Sequence, residues 1–479
     1  MLPCFSPSSP RQATAVTNVM NELKTPSFLQ KLNWIADPVG YMSSAARRYP
    51  DIFTARVVGF GDTLEFVSNP QVIQQILTND RKQFSAPGEL NKILKPLVGD
   101  YSLFILSGDR HKRRRQIIMP PFHGTRMRNY GEIISNLTQK IFSQLPQGLP
   151  FSAQTVMQDI SLQVILEGVF GLYEGERCQQ LKQLLANVSG IFRSPLTSAF
   201  LFLPLLQRDL GAWSPWGNFV RQRQQIDELL LAEIRERREQ PDLERTDILS
   251  LLLSARDQDG KPMTDQELRD ELMTLLLAGN ETTAIAMSWA LYWTHYLPEV
   301  REKLLLELET LGDSPDPMSI FRLPYLTAVC NETLRIHPIA MLTFPRVVEE
   351  TVELLGHRLE PGTALVGCIY LLHQREDLYP EPKQFKPERF LERQFSPYEF
   401  MPFGSGARRC IGEALAIFEM KLVLATILSR YQLALVDHKP VQPQRRGVTL
   451  APAGGVKMVF AGERARQGQP IETFASSIS

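Results

Sequence analysis

The sequence has few of the features that mark secreted, membrane-spanning and nucleic-acid-binding proteins. Its 479 residues include only five cysteines, which stand far apart without a CxxC pair, and this pattern argues against a disulfide framework and for a reducing compartment. No apolar run is long enough to span a bilayer, and the N-terminus carries no signal-peptide pattern. The 52 basic residues balance 52 acidic ones, which gives no indication of nucleic-acid binding. We therefore expect a soluble, cytoplasmic protein without a transmembrane anchor.

The sequence also lacks internal repeats and any linker that would separate two domains. Its hydrophobic content of 43% is sufficient for one large core. Helical spacing of apolar residues dominates, with a few short strand patterns, so we predict a mostly α fold made of one large helical domain with small β-sheets. We expect residues 1–25 to be a polar N-terminal segment, residues 26–462 the domain, and residues 463–479 a C-terminal tail.

Local signals place several elements of this domain. A hairpin is predicted over residues 54–67, and residues 84–107 form a long irregular loop rich in proline and glycine. The capping box that starts at Thr264 opens the longest helix, which runs to about Leu297 and spans roughly 50 Å at 1.5 Å per residue. Further helices are predicted at 37–48, 70–78, 299–311, 325–336 and 412–431.

A glycine-punctuated loop with the sequence FGSGARRCIG covers residues 403–412, just before the last long helix. Its cysteine, Cys410, stands at the mouth of that helix, where the helix dipole, Arg408 and Arg409 should favour a thiolate. A thiolate held in a rigid loop can ligate a soft metal centre such as haem iron. Taken alone, however, a cysteine is more often packed in the core as a small hydrophobic residue.

Polar residues interrupt the long apolar helix at 278–283, where the sequence reads AGNETT. Gly279 costs about 1 kcal/mol relative to alanine in a helix, so we expect a local widening that turns backbone groups towards a pocket. A carboxylate beside a hydroxyl, here Glu281 and Thr282, can relay protons from solvent to a buried site. The alternative is a threonine bonded to its own helix and a surface glutamate.

Two further groups of charged residues have helical spacing. Glu332 and Arg335 share one helix face, and Arg389 could complete a buried structural network with them. In the basic run DRHKRRR, His111 and Arg115 are four residues apart and could hold a pair of carboxylates. The other basic residues of this run would then face an acidic partner, unless the run is only a solvated helix face.

An apolar segment broken by prolines covers residues 194–216. It could form the buried roof of a pocket or an exposed patch that makes a peripheral contact with a membrane. We favour the roof, because the segment has few basic residues to pair with lipid headgroups.

These motifs, in this order, resemble the cytochrome P-450 family of haem-thiolate monooxygenases, over about residues 35–460. The loop matches the family pattern FxxGxRxCxG, so the resemblance implies haem b with Cys410 as its axial thiolate ligand, beneath a long central helix. His111 replaces a tryptophan found in many members, and the histidine variant occurs chiefly in soluble bacterial enzymes. The other implied haem contacts are Arg115, Ala278, Arg346, Phe403, Gly404, Arg408 and Gly412.

The resemblance also implies an activity: insertion of one oxygen atom from O₂ into a lipophilic substrate such as a fatty acid or terpenoid. Glu281 and Thr282 would deliver protons, and a ferredoxin-type or flavodoxin-type donor would supply electrons. That donor would dock on a proximal basic face made of Arg110, Lys112, Arg113, Arg114 and Arg409. The implied substrate pocket is lined by Leu103, Phe104, Leu275, Ala278, Met341, Leu342, Val448 and Thr449.

Two other functions remain open on the sequence alone. One is a peroxide-driven or isomerising haem-thiolate enzyme, although such relatives usually lack the acid–alcohol pair that Glu281 and Thr282 provide. The other is a haem-binding sensor or lipophile carrier, which would bind carbon monoxide but form no product. The chain looks most like soluble bacterial members, cyanobacterial ones in particular, and we expect a monomer.

Overall fold

The computed structural model describes residues 21–464, apart from 81, 123–125, 192–200, 204–205, 212, 241–244, 246 and 313–314. Most of the predicted N-terminal segment and C-terminal tail therefore lies outside the described residues. The predicted fold class, mostly helical with small sheets, is confirmed.

The helices carry most of the chain. They are α1 Ser27–Ala36, α2 Pro38–Ala46, α3 Pro70–Thr78, α4 Lys95–Val98, α5 Gly108–Ile118, α6 Arg126–Phe142, α7 Ala153–Phe170, α8 Glu176–Ile191, α9 Pro215–Glu239, α10 Ile248–Ser254, α11 Asp265–Tyr296, α12 Pro298–Glu309, α13 Pro317–Phe321, α14 Pro324–Ile336, α15 Ile369–His373, α16 Arg389–Glu392 and α17 Glu413–Arg430.

The strands form small sheets. They are β1 Ile52–Ala55, β2 Leu64–Val67, β3 Phe84–Ser85, β4 Pro150–Ser152, β5 Arg346–Val348, β6 Val352–Leu354, β7 His357–Leu359, β8 Ala364–Gly367, β9 Tyr431–Leu435, β10 Pro443–Arg446, β11 Thr449–Pro452 and β12 Lys457–Glu463. The largest sheet has the order β1-β2-β8-β5-β3, with only the β2–β8 pair parallel. Its β1–β2 unit is the predicted hairpin. The order β4-β12-β9 makes a second sheet, while β6–β7 and β10–β11 are two-stranded.

Helix α11 is the central element of the fold. Its capping box is present: the Thr264 hydroxyl accepts a hydrogen bond from the Glu267 N–H, and the Glu267 carboxylate accepts one from the Thr264 N–H at 2.9 Å. The helix ends at Tyr296, and Pro298 opens α12. Residues of α11 belong to two core clusters, one shared with α6, α14 and α17 and the other with α8 and α9. This helix is therefore held from several sides across its length.

The predicted widening of α11 is wrong, because the helix runs without interruption from Asp265 to Tyr296. Gly279 has a packing role instead. A Cβ at this position would lie 2.9 Å from Cδ1 of Ile165 on α7, which is closer than two carbon atoms normally approach. The glycine therefore allows α7 and α11 to pack closely at the level of the AGNETT sequence.

The predicted irregular loop over residues 84–107 contains β3, a 3₁₀ helix at Gly88–Leu94 and α4. Distant partners stabilise these short elements. The Asn91 amide donates to the carbonyl oxygen of Phe104 at 2.9 Å, and the Tyr101 N–H donates to the Asp270 carboxylate of α11 at 2.8 Å. The segment is thereby tied to the central helix.

Candidate functional site

A cavity of about 310 Å³ lies between α11 and the loop that ends at Cys410. An adjoining cavity of about 250 Å³ shares several walls with it, among them Phe104, Ala278 and Thr282. The first cavity is lined by these predicted site residues: Leu103, Phe104, His111, Arg115, Leu275, Ala278, Thr282, Leu342, Arg346, Phe403, Gly404, Arg408, Cys410, Gly412 and Thr449. Glu281, Met341 and Val448 line the adjoining cavity only.

The loop around Cys410 is closed by backbone bonds and by one carboxylate. The Cys410 N–H donates to the carbonyl oxygen of Phe403 at 3.0 Å, and the Ala407 N–H donates to Asp80 at 2.8 Å. Gly406 has a φ of +69°, and a Cβ there would lie 2.6 Å from Oδ2 of Asp80. Only glycine fits position 406 without strain, so the approach of Asp80 explains this glycine of the loop.

The prediction that local charges favour a Cys410 thiolate is wrong for the thiol without a metal. Burial raises the pKa of Cys410 to about 11, although the Gly412 N–H, Arg115 and Arg409 act in the opposite direction. The Arg409 guanidinium is also partly neutralised by Glu413, at 2.6 and 2.7 Å. The sulfur would therefore become a thiolate only with a stronger electrophile, such as a metal ion, beside it.

The arginines that line the first cavity are held by different partners. Arg346 is buried and pairs with Asp80 at 2.5 and 3.1 Å. Arg408 donates to the carbonyl oxygens of Leu103 at 2.8 Å and Leu106 at 2.6 Å. Its pKa is lowered to about 10 by desolvation.

Arg115 donates to the carbonyl oxygen of Arg409 at 2.5 Å, and desolvation lowers its pKa as well. Within the described part of the chain, neither Arg115 nor Arg408 forms an ion pair. Two desolvated cations that line the same cavity as a cysteine sulfur fit a cofactor that carries both an iron and carboxylates. Haem b, with its propionates, has this composition, so the donor set agrees with it.

The acid–alcohol pair on α11 is divided between two environments. The Thr282 hydroxyl lines both cavities and donates to the carbonyl oxygen of Ala278, one turn earlier, so the back-bonded alternative is present. Glu281 is partly buried and lines the adjoining cavity only, where its carboxylate forms an ion pair with Arg446 of β10. No local pattern in the sequence indicates this partner.

The Glu332 carboxylate lies at the centre of a buried network. It accepts hydrogen bonds from Arg335 at 2.7 and 2.8 Å, from Arg389 at 3.2 Å and from the Lys386 N–H at 2.8 Å. Arg335 also donates to the carbonyl oxygen of His373 at 2.8 Å. These side chains line neither cavity. The network ties α14 to the irregular segment that leads to the Cys410 loop.

Arg114 cannot belong to the predicted basic face. Its guanidinium is buried and pairs with Glu267 and Glu271 of α11, the latter at 3.1 Å. The exposed basic residues of α5 are Arg110, Lys112 and Arg113. Arg114 differs from its neighbours because it is buried, and a run of like charges in the sequence does not show which of its residues is buried.

The apolar segment at 194–216 is partly buried and partly exposed. Residues 192–200 are among those that the structure does not describe. Leu201 and Phe202 are buried and line the adjoining cavity. Leu210 and Trp213 are exposed, with 80% of the Trp213 surface accessible. The described part of the segment is thus cavity wall at one end and exposed at the other.

Sequence reasoning missed three charged residues around the cavities. Asp80 holds both Arg346 and the Cys410 loop, and nothing near it in the sequence signals that role. Glu271 pairs with Arg114, and burial raises its pKa to about 8. Glu271 comes four residues after Glu267, so both lie on one face of α11, and this spacing was the available signal. Arg445 lines the adjoining cavity, and its place close to the predicted wall residue Val448 was the available signal.

Comparisons with known proteins agree with this architecture. The family model described as Cytochrome P450 matches residues 25–458. A protein of Mycobacterium tuberculosis named "Putative cytochrome P450 135B1" is 35% identical over 420 residues, which are 87% of this chain and 86% of that protein. Another from the same organism, "Putative cytochrome P450 135A1", is 32% identical over 94% of this chain and 97% of its own length.

Two solved structures have the same fold. One is the retinoic acid bound cyanobacterial CYP120A1, with a TM-score of 0.79, 24% identity, and coverage of 90% of this chain and 95% of that one. The other is the cytochrome P450DA heme domain, with a TM-score of 0.80, 22% identity, and coverage of 92% and 97%. No helix among the described residues has the length and apolar character needed to cross a membrane. From the family match, the mycobacterial relatives and the shared fold, we conclude that this chain belongs to the cytochrome P450 family, whose members bind haem through a cysteine thiolate and are in general monooxygenases.

Proposed function

We propose that this protein inserts one oxygen atom from O₂ into a lipophilic substrate such as a fatty acid or terpenoid, with electrons from a separate redox protein. One observation carries the proposal: Cys410, two desolvated arginines and the Thr282 hydroxyl line the same cavity, and that cavity adjoins a second, largely apolar one. An apolar chamber beside a metal-binding sulfur suits a lipophile better than a polar metabolite.

In this proposal, the Cys410 sulfur would hold the iron of haem b, and Arg115 and Arg408 would bind its propionates with His111 beside them. When bound through a thiolate, haem supplies the activation of O₂ and the transfer of oxygen to carbon. The chain orients the substrate and excludes water. Leu275 and Ala278 of α11 contribute apolar surface to the cavity in which this takes place.

The proposal is tested first by binding and then by product. Fatty acids, terpenes and steroids are titrated into the haem-loaded protein, and the low-spin to high-spin shift is recorded. The compounds that bind are then incubated with O₂, NADPH and a ferredoxin–reductase pair, and products are identified by mass spectrometry. We expect a product that carries one oxygen atom from ¹⁸O₂. Two results would contradict the proposal. One is a product that forms with hydrogen peroxide but not with O₂ and NADPH. The other is a carbon monoxide complex without any product.

The hydroxyl of Thr282 is proposed to hold and pass protons in the cavity. Replacing Thr282 with alanine removes the only polar atom of that side chain, so we expect less product per NADPH and more released hydrogen peroxide. Loss of one positioned proton donor typically costs about 10²–10⁴-fold in rate. The coupling ratio of product to NADPH is the measurement.

Thr282→Ser keeps the hydroxyl and is the matched control for this experiment. It should retain most of the coupling. If Thr282→Ala coupled as well as the wild type, the hydroxyl that bonds to Ala278 would have only a structural role.

The electron donor is proposed to be a small acidic ferredoxin or flavodoxin that docks on the exposed face of α5. Arg110, Lys112 and Arg113 project there, and Arg409 is exposed beside Cys410. Charge reversal of Lys112 and Arg113 to glutamate should slow reduction of the haem by the donor at low salt. The difference from wild type should shrink as ionic strength rises, since salt screens exposed charges.

Stopped-flow reduction at several salt concentrations measures this effect. Arg358→Glu, at an exposed site on β7, reverses one charge outside α5 and is compared with Lys112→Glu alone, so that both variants change the net charge equally. Arg114 is unsuitable for reversal because it is buried against two glutamates. A rate that depended equally on the control substitution, or did not depend on salt, would mean that the donor docks elsewhere.

A further inference from the structure

Two adjacent arginines of β10, Arg445 and Arg446, line the adjoining cavity. Among the described residues, only one of them has a carboxylate partner. Arg446 forms an ion pair with Glu281 of α11. Arg445 is more deeply buried, with 2% of its surface exposed, and no described carboxylate contributes to its electrostatic environment. The cavity therefore has one cation that the protein neutralises and one that it does not.

The guanidinium of Arg445 lies between two aromatic rings. Its central carbon is 4.6 Å from the centre of the Trp34 ring and 5.0 Å from that of Phe202. Both of these rings also line the cavity. Contacts between a cation and ring faces recover part of the cost of burying a charge, but they leave the N–H donors unused.

Two nitrogens of Arg445, Nε and Nη2, have no hydrogen-bond partner among the described residues. Burial without a counter-charge lowers the pKa of this arginine to about 9. A buried guanidinium with unused donors is costly, and proteins rarely keep one without a use. An anionic ligand that enters the cavity would supply both the missing charge and the missing acceptors.

We propose that Arg445 binds the carboxylate of an acidic substrate whose apolar chain fills the two joined cavities. This inference deepens the proposed function, on which it rests for the identity of the cavity. A carboxylate fits better than a phosphate, because it is a single negative charge that can accept two parallel N–H bonds from one guanidinium. A phosphate dianion would need a second counter-charge, and the charge of Arg446 is already paired with that of Glu281.

The position of Arg445 also sets the orientation of the substrate. Arg445 lines the adjoining cavity but not the first one, whereas Cys410 lines the first one only. Ala278, Thr282 and Leu342 line both, so the two cavities adjoin at these residues. A substrate held at Arg445 by its carboxylate would extend its chain past them, so that a carbon remote from the carboxylate is presented on the Cys410 side.

The test compares dodecanoic acid with dodecan-1-ol, which have the same chain length and differ in the charge of the head group. Binding of each to the haem-loaded protein is measured by calorimetry. We expect the wild type to prefer the acid, and Arg445→Met to lose about tenfold to a hundredfold in affinity for the acid, as expected for a charge-assisted hydrogen bond. Affinity for the alcohol should change less than threefold. Arg445→Lys keeps the charge but not the paired N–H donors, so its affinity for the acid should lie between those of the wild type and Arg445→Met.

Arg358→Met, which removes an exposed arginine of β7, is the matched control and should bind both compounds like the wild type. Thermal unfolding is recorded for every variant. Because Arg445 is a buried charge without a carboxylate partner, Arg445→Met should unfold at the same temperature as the wild type or higher. If Arg445 served only to pack against Trp34 and Phe202, Arg445→Met would lower the unfolding temperature.

The outcomes separate this inference from the function on which it rests. Equal losses for acid and alcohol in Arg445→Met, or an acid preference that survives this substitution, would overturn the carboxylate assignment even if the enzyme oxidised other lipophiles. Conversely, a preference for the acid that depends on Arg445, without any oxygenated product, would support the binding site and contradict the proposed monooxygenase function.

Discussion

Replacing Cys410 with serine is expected to abolish the red-shifted Soret band of the reduced carbon monoxide complex. That band would require a thiolate ligand to the iron, and a serine hydroxyl is neither soft nor ionised at neutral pH. Because the pKa of the Cys410 thiol is raised to about 11 by burial, the thiolate depends on the metal rather than on the loop. No other side chain of the loop offers a soft ligand, so the expected loss is complete.

Reduced-minus-oxidised spectra under carbon monoxide measure this effect directly, without substrate or redox partner. Cys178→Ser is the matched control, since Cys178 is a buried, free cysteine on α8 that lines neither cavity. It should leave the band intact. Retention of the band in Cys410→Ser would transfer the ligand assignment to another residue.

The elements that the sequence predicts well are those whose signals are local. The capping box at Thr264 and Glu267 lies within one turn, and it places the start of α11 without reference to the rest of the chain. The β1–β2 hairpin is similar, because its two strands and the turn between them are neighbours in sequence. Residues of the Cys410 loop and of α11 likewise line one cavity, as their motifs suggest.

The interactions that escaped prediction join residues far apart in the chain. Arg346 meets Asp80 across 266 positions, and Arg114 meets Glu271 across 157. Helical spacing on α5 cannot reveal which of its arginines is buried, because that depends on where α11 lies. The same limit applied to Glu281, whose partner Arg446 comes from β10.

Gly279 illustrates a different limit. A glycine within a helix lowers helical propensity, and from sequence alone it favoured a widened turn. Packing decided the outcome instead, since Ile165 of α7 occupies the space where a side chain would stand. A propensity of about 1 kcal/mol is easily outweighed by the burial of α11 on several sides.

Replacing Glu332 with alanine is expected to destabilise the fold by about 3–5 kcal/mol, because it leaves buried arginine charge without a partner. Both Glu332 and Arg335 have no exposed surface, and Arg389 is only slightly exposed. Against a total stability of about 5–15 kcal/mol, such a loss would leave much of the protein unfolded at growth temperature. Urea unfolding followed by circular dichroism, together with the yield of soluble protein, measures the effect.

Glu332→Gln is the informative second variant, because it keeps the shape and one acceptor oxygen, but it loses the charge and places an N–H donor where the other acceptor was. It should fold better than Glu332→Ala and remain less stable than the wild type, which separates the loss of charge and acceptor from the loss of packing. Glu360→Ala, which breaks the exposed pair with Arg358, should change stability little. If Glu332→Ala unfolded at the same urea concentration as that control, the network would not be what fixes α14 to the segment before the Cys410 loop, and other contacts would have to hold that loop in place.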